Sequence, residues 1–184
     1  PDQINKKLKP GTVHQGALLN ASPLPEVSLE TITASGQPII ALDQVTDPRN
    51  IGAIIRAAMV FGAGGLIMTR HNSPASGGAL AKTASGALEK MPLVRVANLA
   101  RCLESLTEAG YLTCGLDEEG TQWLGDIPRD QPIACVMGAE GKGLRRLTKE
   151  NCAQLVRLTA TDASSFATLN VATATAVALY EIVR

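Results

Sequence analysis

The sequence predicts an α/β domain with a mostly parallel sheet covered on both faces by helices. Two observations predict it. Short apolar runs of strand length alternate with segments of helical periodicity. Apolar residues make up 45% of the chain while aromatics supply only 3%, so the core must be built from Leu, Ile, Val and Ala, small enough for helices to lie close on a sheet.

Taken in order, residues 39–42, 65–68, 93–96, 111–115 and 133–137 are apolar runs that read as buried strands. Between them, 51–61, 78–89, 99–108 and 144–151 carry helical spacing. A further short strand is expected over 154–158 and a closing helix over 169–183. Residues 1–36 are polar and rich in Pro, Ser and Thr. They read as a linker with a short extended arm, in which 15–19 are a candidate for pairing at a sheet edge.

Composition excludes several function classes. The formal net charge is zero, which argues against an electrostatic grip on nucleic acid by the whole domain. Local basic groups stand at Lys6, Lys7 and Lys9 and at Arg145, Arg146 and Lys149. Cys102, Cys114, Cys135 and Cys152 form no CxxC pair and have no nearby His, so neither zinc nor a thioredoxin-type site is supported. Reduced thiols, no signal peptide and no membrane-length apolar stretch lead to the expectation of a cytoplasmic protein without a metal.

Three stretches stand out. In the first, 38–58, an apolar run breaks at Asp47-Pro48-Arg49-Asn50 and resumes as a helix with Ile51, Ile54, Ile55 and Ala58 on one face. Asn50 is the expected N-cap, Gly52 permits a close backbone approach, and Arg56 in the second turn can swing back toward the loop. Alone, this is an ordinary strand-to-helix turn with a surface Arg.

The second stretch, 132–147, runs from a strand into glycines at 138, 141 and 143. Gly138 and Gly143 have Walker A spacing, but Leu144 stands where the Lys is required. The dinucleotide pattern fails at Arg146. A glycine loop able to cradle some ligand through its backbone survives, with Glu140 inside it.

The third stretch, 165–181, places Thr168 and Asn170 just before and at the start of an Ala-rich helix. They read equally as caps or as ligand-facing groups. The helix is apolar nearly all round, through Val171, Ala174, Val177, Ala178 and Ile182, so burial between the sheet and something else, such as a second subunit, is expected.

Together the stretches resemble the three motifs of the SpoU (TrmH) family of RNA ribose 2′-O-methyltransferases. The first is Leu42-Asp43-x-Val45-x-Asp47-Pro48-x-Asn50-x-Gly52-x-x-x-Arg56, the second Val136-Met137-Gly138-x-Glu140-Gly141-x-Gly143, the third Leu169-Asn170-Val171 running into Leu179-Tyr180-Glu181. His14-Gln15-Gly16, Ser85-Gly86-Ala87 and Val94-Arg95-Val96 are most similar to members that methylate a guanosine ribose in 23S rRNA.

The resemblance implies a methyltransferase domain over 37–184 with a deep C-terminal trefoil knot, S-adenosylmethionine as methyl donor, RNA as substrate and a homodimer through the last helix. Residues 1–36 would be the linker and arm that follow an N-terminal RNA-binding domain outside this sequence. The resemblance also assigns Gly138, Met137, Leu158 and Leu169 to the donor pocket. Asn50, Arg56, Glu140, Asn170 and Thr168 fall around the ribose, Arg56 orienting the hydroxyl and Glu140 acting as base or, as the favoured role, as an anchor for Arg56 or Asn50. Two positions depart from the family pattern: Leu158-Thr159 replaces Ile-Pro, and Thr168 stands where Ser is usual. tRNA ribose methylation and a non-catalytic donor- or RNA-binding dimer are the alternatives.

Overall fold

A computed structural model of the chain describes residues 24–70, 78–158 and 169–184 and, nearer the N-terminus, 2–8, 10–12, 14, 16–20 and 22. In chain order its elements are α1 (Asp2–Asn5), α2 (Leu29–Thr33), β1 (Ile39–Asp43), α3 (Pro48–Val60), β2 (Gly65–Thr69), α4 (Gly78–Ala84), β3 (Leu93–Val96), α5 (Leu99–Glu108), β4 (Leu112–Leu116), β5 (Gln122–Trp123), β6 (Ile133–Gly138), α6 (Arg146–Glu150), β7 (Gln154–Arg157) and α7 (Val171–Val183).

The seven strands form one sheet in the order β3-β2-β1-β6-β4-β7-β5, and every pairing is parallel. All residues of β1 and β2 are buried, as expected of strands covered on both faces. Because successive side chains alternate, Ile40 and Leu42 join one core with α3, α4 and α7. Ile39 and Ala41 join the opposite core, which holds Ile32 of α2 and Leu99, Leu103 and Leu106 of α5. Gly52 is needed for the first layer, since a Cβ there would meet Thr83 Cβ at 2.6 Å and the Ala84 amide nitrogen at 2.9 Å; α3 and α4 pack through it.

Several expectations change. The helix over 78–89 ends at Ala84, where Ser85 (φ 52°) and Gly86 (φ 82°) adopt left-handed backbone. The helix over 144–151 begins only at Arg146, because Leu144 is buried in the core and Arg145 is extended. Gln122–Trp123 adds an edge strand that its two residues could not announce. Upstream of residue 37 the chain is not only an arm: α2 docks Ile32 at 1% exposure, and the Tyr111 hydroxyl donates to the carbonyls of Gln37 (3.0 Å) and Thr33 (3.4 Å). Residues 16–19 belong to no strand, and Gln15 lies outside the described residues. No helix among the described residues is long and apolar enough to cross a membrane.

Candidate active site

Parallel strands deliver their C-terminal ends to one edge of the sheet, where ligands of open α/β folds bind. β1 and β6 are neighbours there, with Asp43 opposite Gly138. Three chain segments leave or reach this edge: the β1 to α3 connection, the 138–145 loop after β6, and the start of α7.

The first differs from expectation in its cap. The N-cap of α3 is Asp47, whose carboxylate accepts from the Arg49 amide at 2.8 Å, and Pro48 takes the first helical position. The proline ring presets helical φ and lacks the N–H that would go unsatisfied there, so the helix starts three residues earlier than an Asn50 cap would allow. The Arg49 amide and guanidinium hold the Asp47 carboxyl below its ordinary range. Asn50 thereby sits inside the first turn with its amide free to reach out.

It reaches the glycine loop: Asn50 Nδ2 donates to Glu140 Oε1 at 3.0 Å. Asn170 Nδ2 donates to the same oxygen at 2.5 Å and to Asn50 Oδ1 at 3.1 Å. Asn170 Oδ1 meanwhile caps α7, accepting from the amides of Ala172 (2.9 Å) and Thr173 (3.4 Å). Of the two readings of Asn170 the structure shows the cap, made by Oδ1, while Nδ2 turns to Glu140 and Asn50. These contacts span 90, 120 and 30 residues of sequence, joining all three stretches in one carboxylate-centred cluster.

Arg56 is not part of it. It lies six residues beyond Asn50 on α3, about 9 Å along the axis and turned by roughly 120°, and it is exposed. With Ala53, Ala57, Val60 and Phe61 it lines a shallow cleft of about 280 Å³. Glu140 therefore anchors Asn50 and Asn170, not Arg56. Thr168 lies outside the described residues.

Of the positions assigned to the donor pocket, Gly138 ends β6 at the open edge and is half-buried. A Cβ on it would fall within 2.5 Å of the Leu144 nitrogen and closer still to the Gly143 carbonyl carbon, so only glycine lets the loop fold back on its own strand. Leu158 is half-buried against the core and Leu169 is 53% exposed. Met137 is 2% exposed, its side chain in the core and its sulfur beside the Cys135 thiol at 3.6 Å, which leaves only its backbone to face a ligand. A glycine turn at the C-terminal ends of parallel strands suits a nucleoside-bearing donor.

Two acidic residues have partners that the sequence reading did not assign, Asp43, quoted there only as part of the first motif, and Asp117. Asp43, fully buried, accepts from the Arg145 amide (2.9 Å) and Nε (2.7 Å). A charge closing an otherwise apolar strand was the available signal. Asp117, just beyond β4, pairs with Lys149 at 2.7 Å, and that bond raises the pKa of Lys149. Burial pushes the thiols of Cys102 and Cys114 up to about 11 and that of Cys152 up to about 12, so none is poised as a nucleophile. Among the described residues no group of three or more His, Cys, Asp or Glu could hold a metal ion.

Comparison with known proteins identifies the family to which the sequence and fold are similar. The model of the family described as "SpoU rRNA Methylase family" matches residues 37–180. A protein of Burkholderia sp named 23S rRNA (guanosine-2'-O-)-methyltransferase RlmB is 43% identical over 175 residues, 93% of this chain and 70% of that relative. The Pseudomonas aeruginosa protein of the same name is 43% identical over 94% of this chain and 71% of its own length. Among solved structures, the SpoU methyltransferase AviRb from Streptomyces viridochromogenes in complex with AdoMet superposes with a TM-score of 0.76 at 31% identity. That match covers 86% of this chain and 62% of the other. An AdoMet-bound rRNA methyltransferase from Sinorhizobium meliloti gives a TM-score of 0.73 at 28% identity, covering 80% and 56%. The chain thus spans about 70% of those named relatives and under two thirds of the solved chains.

Proposed function

The chain belongs to the SpoU rRNA methylase family, and from that premise we propose that it transfers a methyl group from S-adenosylmethionine to a ribose 2′-hydroxyl of RNA, a guanosine of 23S rRNA being the target for which its relatives are named. The observation that carries this reading is the cluster of Asn50, Glu140 and Asn170, drawn from three distant segments to the C-terminal edge of the sheet.

The backbone of the 138–145 loop, the Met137 backbone and the apolar flanks of Leu158 and Leu169 would hold the donor, which when bound supplies a methyl group on a sulfonium. The protein's own work is to hold the ribose in line with that methyl and to stabilise charge on the attacking oxygen. Glu140 Oε1 is occupied by two amides; Oε2 has no partner among the described residues and is available to a ribose hydroxyl. Asn50 and Asn170 fix the carboxylate's orientation, with Thr168, two residues before Asn170 in sequence, as a further hydroxyl for the ribose. A guanidinium resists deprotonation, so Arg56 serves as a charge-stabilising and orienting group.

Arg56 reaches that role through dimerisation. α7 exposes Val177 (39%), Tyr180 (53%) and Val183 (44%), and Val60 of α3 is 79% exposed, while Phe61 meets Tyr180 edge to face with centroids 6.4 Å apart. An apolar surface across two helices suits a second copy of the chain, and Arg56 stands in it. A cytoplasmic homodimer, a trefoil knot in the C-terminal segment and an RNA-binding domain preceding the arm complete the proposal. The return of α7 onto α3 and β6, with β7 seated between β4 and β5, supports the knotted path.

The test is methyl transfer to 23S rRNA from a strain lacking the gene, with the modified ribose mapped. Methylation of a tRNA ribose instead would move the substrate class, and donor binding without transfer would make the chain a binding module. Arg56→Lys is expected to lower turnover while donor binding persists; near-normal turnover would remove the guanidinium fork from the mechanism.

A further inference from the structure

Asp43 is the one fully buried carboxylate among the described residues. Burial of a carboxylate is costly unless it is hydrogen-bonded, so the donors that meet it say what it is there to hold. The structure shows what it secures. Asp43 ends β1 directly opposite Gly138 in the ladder, so the strand end carrying Asp43 already fixes the start of the 138–145 loop. Its carboxylate fixes the other end, Oδ2 accepting from the Arg145 amide at 2.9 Å and Oδ1 from Arg145 Nε at 2.7 Å. Between these two ties the loop is closed on itself, the Ala139 amide donating to the Gly143 carbonyl (3.2 Å) and the Gly143 amide to that of Ala139 (2.9 Å). Gly138 stands at one end of the closed loop and Glu140 at its tip.

We propose that Asp43 is a positioning residue of the methyl-transfer site: by clamping Arg145 it holds the 138–145 loop in the closed form that aims the Gly138 backbone at the donor and Glu140 at Asn50 and Asn170. This rests on the reading of that loop as the donor cradle. The two arms of the clamp are unequal. The bond to the Arg145 amide survives any side chain at 145 except Pro, whereas the bond to Nε belongs to arginine. Asp43→Asn converts one acceptor into a donor that faces a donor, so one arm is lost whichever way the amide turns.

The measurement is calorimetric titration of the full chain with S-adenosylhomocysteine, alongside hydrogen exchange at the amides of Ala139 and Gly143. Asp43→Asn is expected to weaken S-adenosylhomocysteine at least tenfold and to speed exchange at those two amides while amides of β1 and β2 keep their protection. Arg145→Ala is expected to weaken it about threefold with a smaller change in exchange; it is also the variant to use if Asp43→Asn does not fold. A uniform rise in exchange across the sheet, with donor affinity within twofold of wild type, would make Asp43 a stability residue only and overturn the proposal. Arg145 also lines a cleft of about 250 Å³ with Asn98, Ala100, Arg146, Leu147 and Thr148. If Arg145→Ala or Asp43→Asn weakened RNA alone and left S-adenosylhomocysteine untouched, the pair would be an RNA contact and the proposal would fall. Wild-type protein that bound no S-adenosylhomocysteine would overturn the donor reading and the proposal with it, whereas unimpaired binding by Asp43→Asn overturns the proposal alone.

Discussion

Replacing Asn170 with Asp separates the two tasks of one side chain. The oxygen that caps α7 is kept, and Asp is as good an N-cap as Asn, with a favourable charge at the helix start. The nitrogen is lost, and with it the bonds to Glu140 Oε1 and Asn50 Oδ1. The first is charge-assisted, worth roughly 1.5–3 kcal/mol net. In its place an oxygen faces a carboxylate 2.5 Å away, an unrelaxed repulsion of about 2 kcal/mol at the dielectric of water and about 7 kcal/mol at the value for near-surface pairs. The groups must part, or share a proton. The lost bond alone lowers the melting temperature by roughly 3–12 °C, and the persisting cap adds nothing to that loss. Methyl transfer to rRNA should drop by roughly 10²–10³ in kcat/KM, corresponding to about 3–4 kcal/mol. A pair of carboxylates that shares a proton titrates above the usual range, so part of the loss should return as the assay pH is lowered toward 5. Wild-type kcat/KM at pH 8, within threefold, would refute the claim that the amide holds Glu140. A melting-temperature loss well beyond about 12 °C, more than the cluster bond accounts for, would refute the claim that cap and cluster are separable.

Gly138→Ala should cost roughly 1–3 kcal/mol in urea unfolding and abolish measurable S-adenosylhomocysteine binding, since its Cβ collides with the Gly143 and Leu144 backbone; retained affinity would clear the loop of any donor role. Asp47→Ala should lower the melting temperature by about 2–4 °C through loss of the α3 cap. Because the folded pKa of Asp47 is depressed, the wild-type advantage is present above pH 3.8 and lost as pH falls through the folded value, so acid titrations of the two proteins should converge at low pH. The thiols shift the other way. Cys102 and Cys114, raised from 9.0 to about 11, keep their full contribution below pH 9 and lose it as pH rises through 11. Urea unfolding under reducing conditions should weaken across that window by at most about 3 kcal/mol for each thiol, with a shallower slope in Cys102→Ala/Cys114→Ala.

The fold was legible where side chains of one kind follow one another. Five apolar runs became β1, β2, β3, β4 and β6 with ends within a residue of expectation, because strands buried on both faces leave no polar position to blur them. Helix ends were less legible, since caps depend on backbone the sequence only permits: Asp47 and Asn50 are both good caps, and Pro48 decided between them. In the site, the partners of Glu140 were half foreseen. Asn50 is held as expected, but Arg56 is not, for a helix carries residues six apart to different faces, which motif spacing does not display. Asp43 and Arg145, 102 residues apart, were invisible as a pair, because a long-range contact between one strand end and one loop has no local period.

The Asn170 amide also links the site to the exposed apolar face of α7. One end of that amide caps α7, whose far face carries Val177, Tyr180 and Val183; the other end orders Glu140 and Asn50. Any ligand that tightens the Glu140 cluster thus favours the capped, fully helical form of α7, and any partner that selects that form favours the ordered cluster. Such coupling is reciprocal in free energy. If α7 is the interface, donor analogue and dimerisation must strengthen each other by equal factors, and Asn170→Asp, which keeps the cap and severs the cluster, must uncouple them while leaving dimerisation itself intact.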